Sequence, residues 1–156
     1  MPLAIAAAAV VLVAVVVIVM TEHGRKTATP APVNATADAY AVNLPISGLQ
    51  MSESANLAGG KVTYLDGHIG NQGDRTVTGI SVQVLFRDAA QEVAQNDPPQ
   101  QMKLIRTRDP YVDVELLSAA PLKPGAERDF RLIFDRVVPD WDGALPQLRI
   151  LHVQFQ

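Results

Sequence analysis

Hydrophobic and polar residues alternate along most of the chain after about residue 44, which is the pattern of strands with one buried face. The clearest case is the segment 77–87, whose apolar positions are Ile80, Val82, Val84 and Phe86. Successive side chains of a strand point to opposite faces, so these four form one inward face. We therefore predict a strand over this segment, with an outward face made of Ser81, Gln83 and Arg87.

The same alternation predicts further strands at residues 61–69, 103–106, 112–116, 129–135 and 147–155. An entry strand with Pro45 and Gly48 precedes them, and its proline favours a sheet edge. Turn residues separate the segments 61–69 and 77–87, so we expect these two to form a hairpin. The inward face of the last strand is expected to consist of Leu151, Val153 and Phe155.

Short strands at roughly ten-residue spacing, without an amphipathic soluble helix, indicate an all-β fold and favour an antiparallel β-sandwich. In such a sandwich the inward faces of different strands meet in one core. We expect that core to contain Val82, Val84, Phe86, Phe130, Leu132 and Trp141.

The N-terminal part of the chain has a different pattern, because residues 3–20 are an unbroken apolar run. At 1.5 Å per residue, a helix over this run extends about 27 Å, close to the thickness of a bilayer's hydrocarbon core. No basic residue precedes the run and no Ala-x-Ala site follows it, so we expect an uncleaved transmembrane helix. Small residues allow close helix packing, and the expected contact strip is Ala6, Ala7, Ala8 and Ala9.

The sequence thus predicts a transmembrane anchor at residues 1–20, a juxtamembrane segment and flexible Ala/Thr/Pro linker at 21–43, and the sandwich at 44–156. Pro30 and Pro32 exclude a regular helix from the linker. Arg25 and Lys26 follow the span, which by the positive-inside rule places the domain in the cytoplasm. The linker composition instead favours an extracytoplasmic, periplasmic domain, and we expect that orientation, with the cytoplasmic one as the alternative.

Composition and charge narrow the possible functions. The net charge is −3 and acidic residues are interspersed with the basic ones, so no basic stripe for nucleic acid is present. The chain has no cysteine. His68 and His152 lack further ligands at strand spacing, and no serine lies in a Gly-x-Ser-x-Gly motif. We therefore expect no catalytic residue, no metal ion and no cofactor.

One polar loop carries a side chain typical of protein interfaces. Tyr111 follows Arg106 and Arg108 there, and interfaces favour Tyr and Arg because both combine large area with hydrogen bonding. We identify Arg106, Arg108 and Tyr111 as candidate partner contacts, with a solvated loop as the alternative.

Four segments of the domain carry family-level features: residues 64–74, 82–88 and 121–132, and residues 138–142 followed by Leu145 and Pro146. Together they resemble the FxLYD-type immunoglobulin-like domain of an uncharacterised family of bacterial single-pass membrane proteins. The resemblance covers about residues 44–155 and implies an immunoglobulin-like sandwich behind a membrane anchor, with no catalytic residues to carry over. One departure is Ala89-Ala90-Gln91, in a turn where such domains usually place a glycine.

These observations lead to one functional expectation and one alternative. We expect a non-enzymatic accessory subunit whose helix and sandwich both contact an integral-membrane protein complex, with the lipid bilayer as its other partner and no nucleic acid. The alternative is a free-standing envelope sensor or ligand-binding module.

Overall fold

A computed structural model describes residues 28–55 and 59–156. In these residues the chain forms strands and one short 3₁₀ helix, Ala39–Asn43. The strands are β1 (Ile46–Ala55), β2 (Lys61–Gly70), β3 (Val77–Arg87), β4 (Val93–Asn96), β5 (Gln100–Gln101), β6 (Lys103–Thr107), β7 (Asp113–Leu116), β8 (Glu127–Phe134) and β9 (Gln147–Phe155).

Two antiparallel sheets account for these strands, which confirms the all-β prediction. The first sheet has the order β1-β2-β8-β6-β7, so β1 lies at an edge, as its proline predicted. The second sheet has β3 at its centre. Strand β9 pairs along one side of β3, while β4 and β5 follow each other along the other side.

The inward faces of the two sheets form one hydrophobic core. Its members include the predicted residues Val82, Val84, Phe86, Phe130 and Leu132, all buried. Trp141 is half-buried and packs edge-on against Phe86, with 5.6 Å between ring centroids. The predicted shared core is therefore confirmed, and the two sheets form a β-sandwich.

The predicted hairpin between β2 and β3 is wrong. Strand β2 pairs with β1 and β8 in the first sheet, whereas β3 pairs with β9, β4 and β5 in the second. The turn residues between the two strands cross from one sheet to the other instead of reversing within one. Periodicity identifies the buried face of a strand but not the strand beside it, so the pattern could not distinguish the two connections.

The predicted inward face of β9 is correct only in part. Ile150 and Val153 are buried, whereas Leu151 is half-buried. The ladder between β3 and β9 shifts register between Ser81 and Val82, and this irregularity changes which residues of β9 face inward.

The turn after β3 forms without the glycine that is usual in the domains this sequence resembles. Gln91 adopts a positive φ of 63°, the left-handed conformation that glycine accepts most readily. Its carbonyl accepts a hydrogen bond from Arg87 at 2.7 Å, and Asp88 Oδ1 accepts from the amides of Ala90 and Glu92, both at 2.9 Å. These bonds hold the non-glycine turn in place.

No helix in the described residues is long and apolar enough to cross a membrane. The predicted span at residues 3–20, with its contact strip from Ala6 to Ala9, lies outside them. The predicted linker is described from residue 28 onward. Ala31 and Pro32 lie on the outer face of the second sheet and accept hydrogen bonds from Gln83, which is 0% exposed although it points away from the core.

Candidate interaction surface

The outer face of the first sheet carries a belt of paired charges. Strand β2 alternates inward residues with the outward Asp66 and His68, and β8 does the same with Asp129 and Arg131. The register of the two strands places Asp66 opposite Arg131 and His68 opposite Asp129. Opposite charges directly across two strands stabilise the pairing. We call Asp66, His68, Asp129, Arg131 and the nearby Arg108 the charged belt.

The Arg131–Asp66 pair is the most ordered part of the belt. Arg131 donates from Nε and from one terminal nitrogen to the two carboxylate oxygens of Asp66, at 2.6 and 2.8 Å. The guanidinium carbon also lies 4.4 Å from the centre of the Tyr64 ring. A bidentate pair with stacking on an aromatic ring fixes the arginine in one orientation.

Arg108 ties the loop after β6 to this face. It donates to Asp129 at 2.8 Å and lies 3.5 Å from Asp66. His68 lies on the other side of Asp129, with 3.0 Å from Nδ1 to a carboxylate oxygen, and its Nε2 lies 3.3 Å from Glu127. A shallow groove of about 310 Å³ is lined by Gln50 on β1 and by Asp66, His68, Arg108 and Asp129 of the belt.

The pKa values of His68 and Asp129 are among those shifted by this arrangement. The hydrogen bonds to Asp129 and then Glu127 raise the pKa of His68 above its usual 6.5. Hydrogen bonds from Arg108 and then His68 lower the pKa of the Asp129 carboxyl. Both directions favour the charged form, so the belt is held together as ion pairs.

The raised pKa of His68 predicts a pH-dependent contribution to stability. Because the folded-state pKa exceeds the unfolded one, the stabilisation is fully present below about pH 6.5 and is lost as pH rises through the folded-state pKa. Replacing His68 with Gln should therefore lower the free energy of unfolding more at pH 5.5 than at pH 8.5. The side chain is partly exposed, so we expect a difference of a few tenths of a kcal/mol.

Urea denaturation across this pH range measures the effect, and Asp129→Asn supplies the control. In the Asp129→Asn background, the loss of unfolding free energy caused by His68→Gln should depend much less on pH. The reason is that the hydrogen bond that contributes most to the raised pKa of His68 is then absent. Equal pH profiles in the two backgrounds would contradict the assignment to this pair.

The belt is a satisfied network in which each charged group has a partner. Within residues 28–55 and 59–156, no group of three or more His, Cys, Asp or Glu side chains is placed to hold a metal ion. The described residues also contain no buried side-chain nitrogen or oxygen without a hydrogen-bond partner. Chemically, the face offers a nearly neutral pattern of donors and acceptors.

The candidate contacts Arg106, Arg108 and Tyr111 differ in their surroundings. Arg106 pairs with Asp113, and Arg108 is part of the belt. Tyr111 is 73% exposed in the loop between β6 and β7, and Leu116 at the end of β7 is 48% exposed. Leu116 lies across from Lys103, which lies across from Arg131, so it shares the outer face with the belt. The role of Arg106, Arg108 and Tyr111 as partner contacts stays a prediction.

The sequence reasoning missed the belt itself. The signal was present, since acidic and basic residues occupy the outward positions of β2 and β8. Recognising the pairs required the register of two strands that are about 60 residues apart, as in the Asp66–Arg131 pair with its separation of 65.

Comparison with known proteins adds a family. No curated protein and no solved structure matches the chain. One family does match, over residues 43–144, which is more than half of the chain and covers β1 to β8 with the loop that carries Trp141. The function of this family is unknown, which agrees with the predicted resemblance to an uncharacterised family. The chain therefore belongs to the family described as "Protein of unknown function (DUF2393)".

Proposed function

We propose that this protein is a non-enzymatic accessory subunit of a larger membrane protein complex. Residues 3–20 cross the bilayer, and an immunoglobulin-like sandwich of the FxLYD type contacts the soluble, periplasmic surface of the partner. The outer face of the first sheet, with Tyr111 and Leu116 beside the charged belt, is the contact surface.

The observation that carries this proposal is the difference between the two outer faces of the sandwich. The chain's own N-terminal segment covers much of the outer face of the second sheet. The outer face of the first sheet has no such cover in the described residues. Leu116 is exposed on it, and Tyr111 is exposed in the loop between β6 and β7. Exposed aromatic and aliphatic anchors rimmed by polar groups are typical of protein contacts.

The charge of the surface favours a protein over a polyanion as its partner. Its arginines already pair with carboxylates, through the pairs Arg106–Asp113, Arg108–Asp129 and Arg131–Asp66. Phosphate backbones and anionic headgroups gain affinity from unpaired positive charge, and here most of it is neutralised. A protein surface can instead match the donor and acceptor pattern and receive Tyr111 in an apolar pocket.

The length and composition of the N-terminal run support the membrane part of the proposal. Its small residues from Ala6 to Ala9 suit close packing against partner helices. Attachment through both the helix and the sandwich raises the effective concentration of each contact, so neither has to be strong alone.

A photo-crosslinking amino acid at position 111 of the full chain, in its native membrane, tests the contact surface. We expect one stoichiometric membrane-complex subunit to be crosslinked at 111 but not at 145, since Leu145 is also exposed and apolar but lies in a different loop. Tyr111→Ala should weaken retention of that subunit roughly 30-fold, the effect of losing a contact of about 2 kcal/mol.

A chain that gives no protein crosslink at 111, and that migrates alone in mild detergent, would contradict the proposal. The free-standing envelope sensor or ligand-binding module would then take its place. Equal crosslinking from positions 111 and 145 would show contact without preference for the proposed face.

A further inference from the structure

Residues 31–38 form a segment, here called the strap, that crosses the outer face of the second sheet. Its carbonyls accept hydrogen bonds from side chains of that sheet. Gln83 Nε2 donates to Ala31 and Pro32 at 3.1 and 2.9 Å, and Asn96 Nδ2 donates to Ala31 at 2.7 Å. One terminal nitrogen of Arg149 donates to the carbonyls of Val33 and Ala35, at 2.8 and 2.9 Å.

The end of the strap is held by Asp38 at the open edge of β9. The Asp38 amide donates to the carbonyl of Ile150 at 2.9 Å, and its carboxylate accepts from the amide of Val153, also at 2.9 Å. Asp38 thus occupies two hydrogen-bonding positions at which a neighbouring strand would pair with β9. Directly after it, Tyr40 packs edge-on against Phe155, with 4.8 Å between ring centroids.

Burial shows that the strap is part of the folded unit. Gln83 faces away from the core, yet it is 0% exposed because the strap covers it. Detaching the strap would leave its carbonyls and the Gln83 amide to find new partners. Because these donors bind main-chain carbonyls, the sheet holds the backbone of the strap and does not depend on the strap's side chains.

The strap also limits the length of chain between the proposed span and the sandwich. Ala31 makes the first hydrogen bond to the sheet among the described residues. Residues 21–30 lie between it and the proposed span, and ten residues reach at most about 36 Å. A free linker through residue 43 would reach roughly 80 Å. The chain enters the domain beside Gln83 and Asn96, on the outer face of the second sheet.

We infer that the strap orients the sandwich on the membrane, with the outer face of the second sheet toward the bilayer and the outer face of the first sheet away from it. This inference rests on the proposed membrane span and deepens the proposed function, because it names the face that is presented to a partner. The strap acts as a positioning element for Tyr111 and the charged belt.

Single-cysteine spin labelling of the full chain in lipid vesicles tests the orientation, since the native chain has no cysteine. One label replaces Asn34, exposed in the strap, and the other replaces Ser52, exposed on β1 and paired with Tyr64 on the outer face of the first sheet. A paramagnetic metal chelate on the lipid headgroups enhances the relaxation of spin labels that lie near the membrane. We expect this enhancement to be several-fold stronger at position 34 than at position 52.

A strap-release variant, Gln83→Met with Arg149→Met, should bring the relaxation ratio close to one. Arg87→Met is the matched control, because Arg87 donates to Gln91 and Gln147 and not to the strap; it should keep the native ratio. Fluorescence of Trp141, the single tryptophan, reports whether each variant is folded. If the double variant fails to fold, Arg149→Met alone replaces it, with a partial loss of the ratio expected.

Two results would overturn the inference while leaving the proposed function in place. One is equal relaxation at positions 34 and 52 in the membrane-bound native chain, and the other is an unchanged ratio in a folded strap-release variant. A chain that does not associate with vesicles at all would overturn both the proposed span and the orientation. Sedimentation with the vesicles therefore separates the two failures.

Discussion

Replacing Phe130 with Ala should lower the free energy of unfolding by about 3–5 kcal/mol. Phe130 is 0% exposed and belongs to the core that both sheets share. Its ring lies directly over Gly67 on β2, where a Cβ would come within 2.6 Å of the ring. The space above Gly67 is thus filled by the Phe130 ring, and removing the ring leaves a cavity that the neighbouring β2 backbone cannot fill.

Urea denaturation followed by Trp141 fluorescence measures this loss, and Tyr111→Ala is the matched control. It also truncates an aromatic ring, but one that is 73% exposed, so it should change the free energy of unfolding by less than about 0.5 kcal/mol. A Phe130→Ala loss below about 1 kcal/mol would contradict the core assignment.

The same contact predicts a coupling between the two positions. Gly67→Ala alone should cost about 1–3 kcal/mol, because the added methyl group forces the Phe130 ring to move. In the Phe130→Ala background the methyl group meets only the end of the Leu49 side chain, which can turn into the space left by the ring, so its cost should fall.

Replacing Asn71 with Ala should lower the free energy of unfolding by about 2–4 kcal/mol, because it leaves buried polar groups without partners. Asn71 is 1% exposed and lies in the connection that crosses between the sheets. Its Nδ2 donates to the carbonyls of Arg75 and Leu122 at 2.8 and 2.9 Å. Its Oδ1 accepts from the Gly73 amide at 3.1 Å and from the Tyr40 hydroxyl at 3.3 Å.

Two further variants separate shape from hydrogen bonding at this position. Asn71→Asp keeps the shape and the acceptor but removes both donors, so we expect a loss as large as that of the alanine variant. Asn34→Ala, in the exposed turn of the strap, should change the free energy of unfolding by less than about 0.5 kcal/mol. If Asn71→Asp is as stable as the native chain, the two donated bonds do not stabilise the crossing.

The local alternation of hydrophobic and polar residues was sufficient to predict which side chains of a single strand are buried. The alternation in residues 77–87 predicted β3 and its inward residues, and both are confirmed. Alternation shows which side of a strand is buried, and this does not depend on which strand lies beside it. Proline in the entry segment likewise predicted an edge strand, since an edge tolerates a missing amide donor.

Tertiary structure decided which strands are neighbours. The predicted β2–β3 hairpin was wrong because turn residues permit both a reversal within one sheet and a crossing between two. The crossing forms where Asn71 bonds to Leu122, 51 residues away, and such a bond has no local signature. The charged belt depends on the same long-range register, so its pairs could not be read from the chain.

By itself, then, the sequence determined the all-β class and the inward residues of the central strands, because each depends on composition or on neighbours along one strand. The path of residues 28–38 was decided only by tertiary structure. Proline and small residues predicted a flexible linker, and the structure shows that the buried Gln83 and the half-buried Arg149 bind its carbonyls. Carbonyls are common to every residue, so a segment held through its backbone carries no sequence pattern that could reveal the docking.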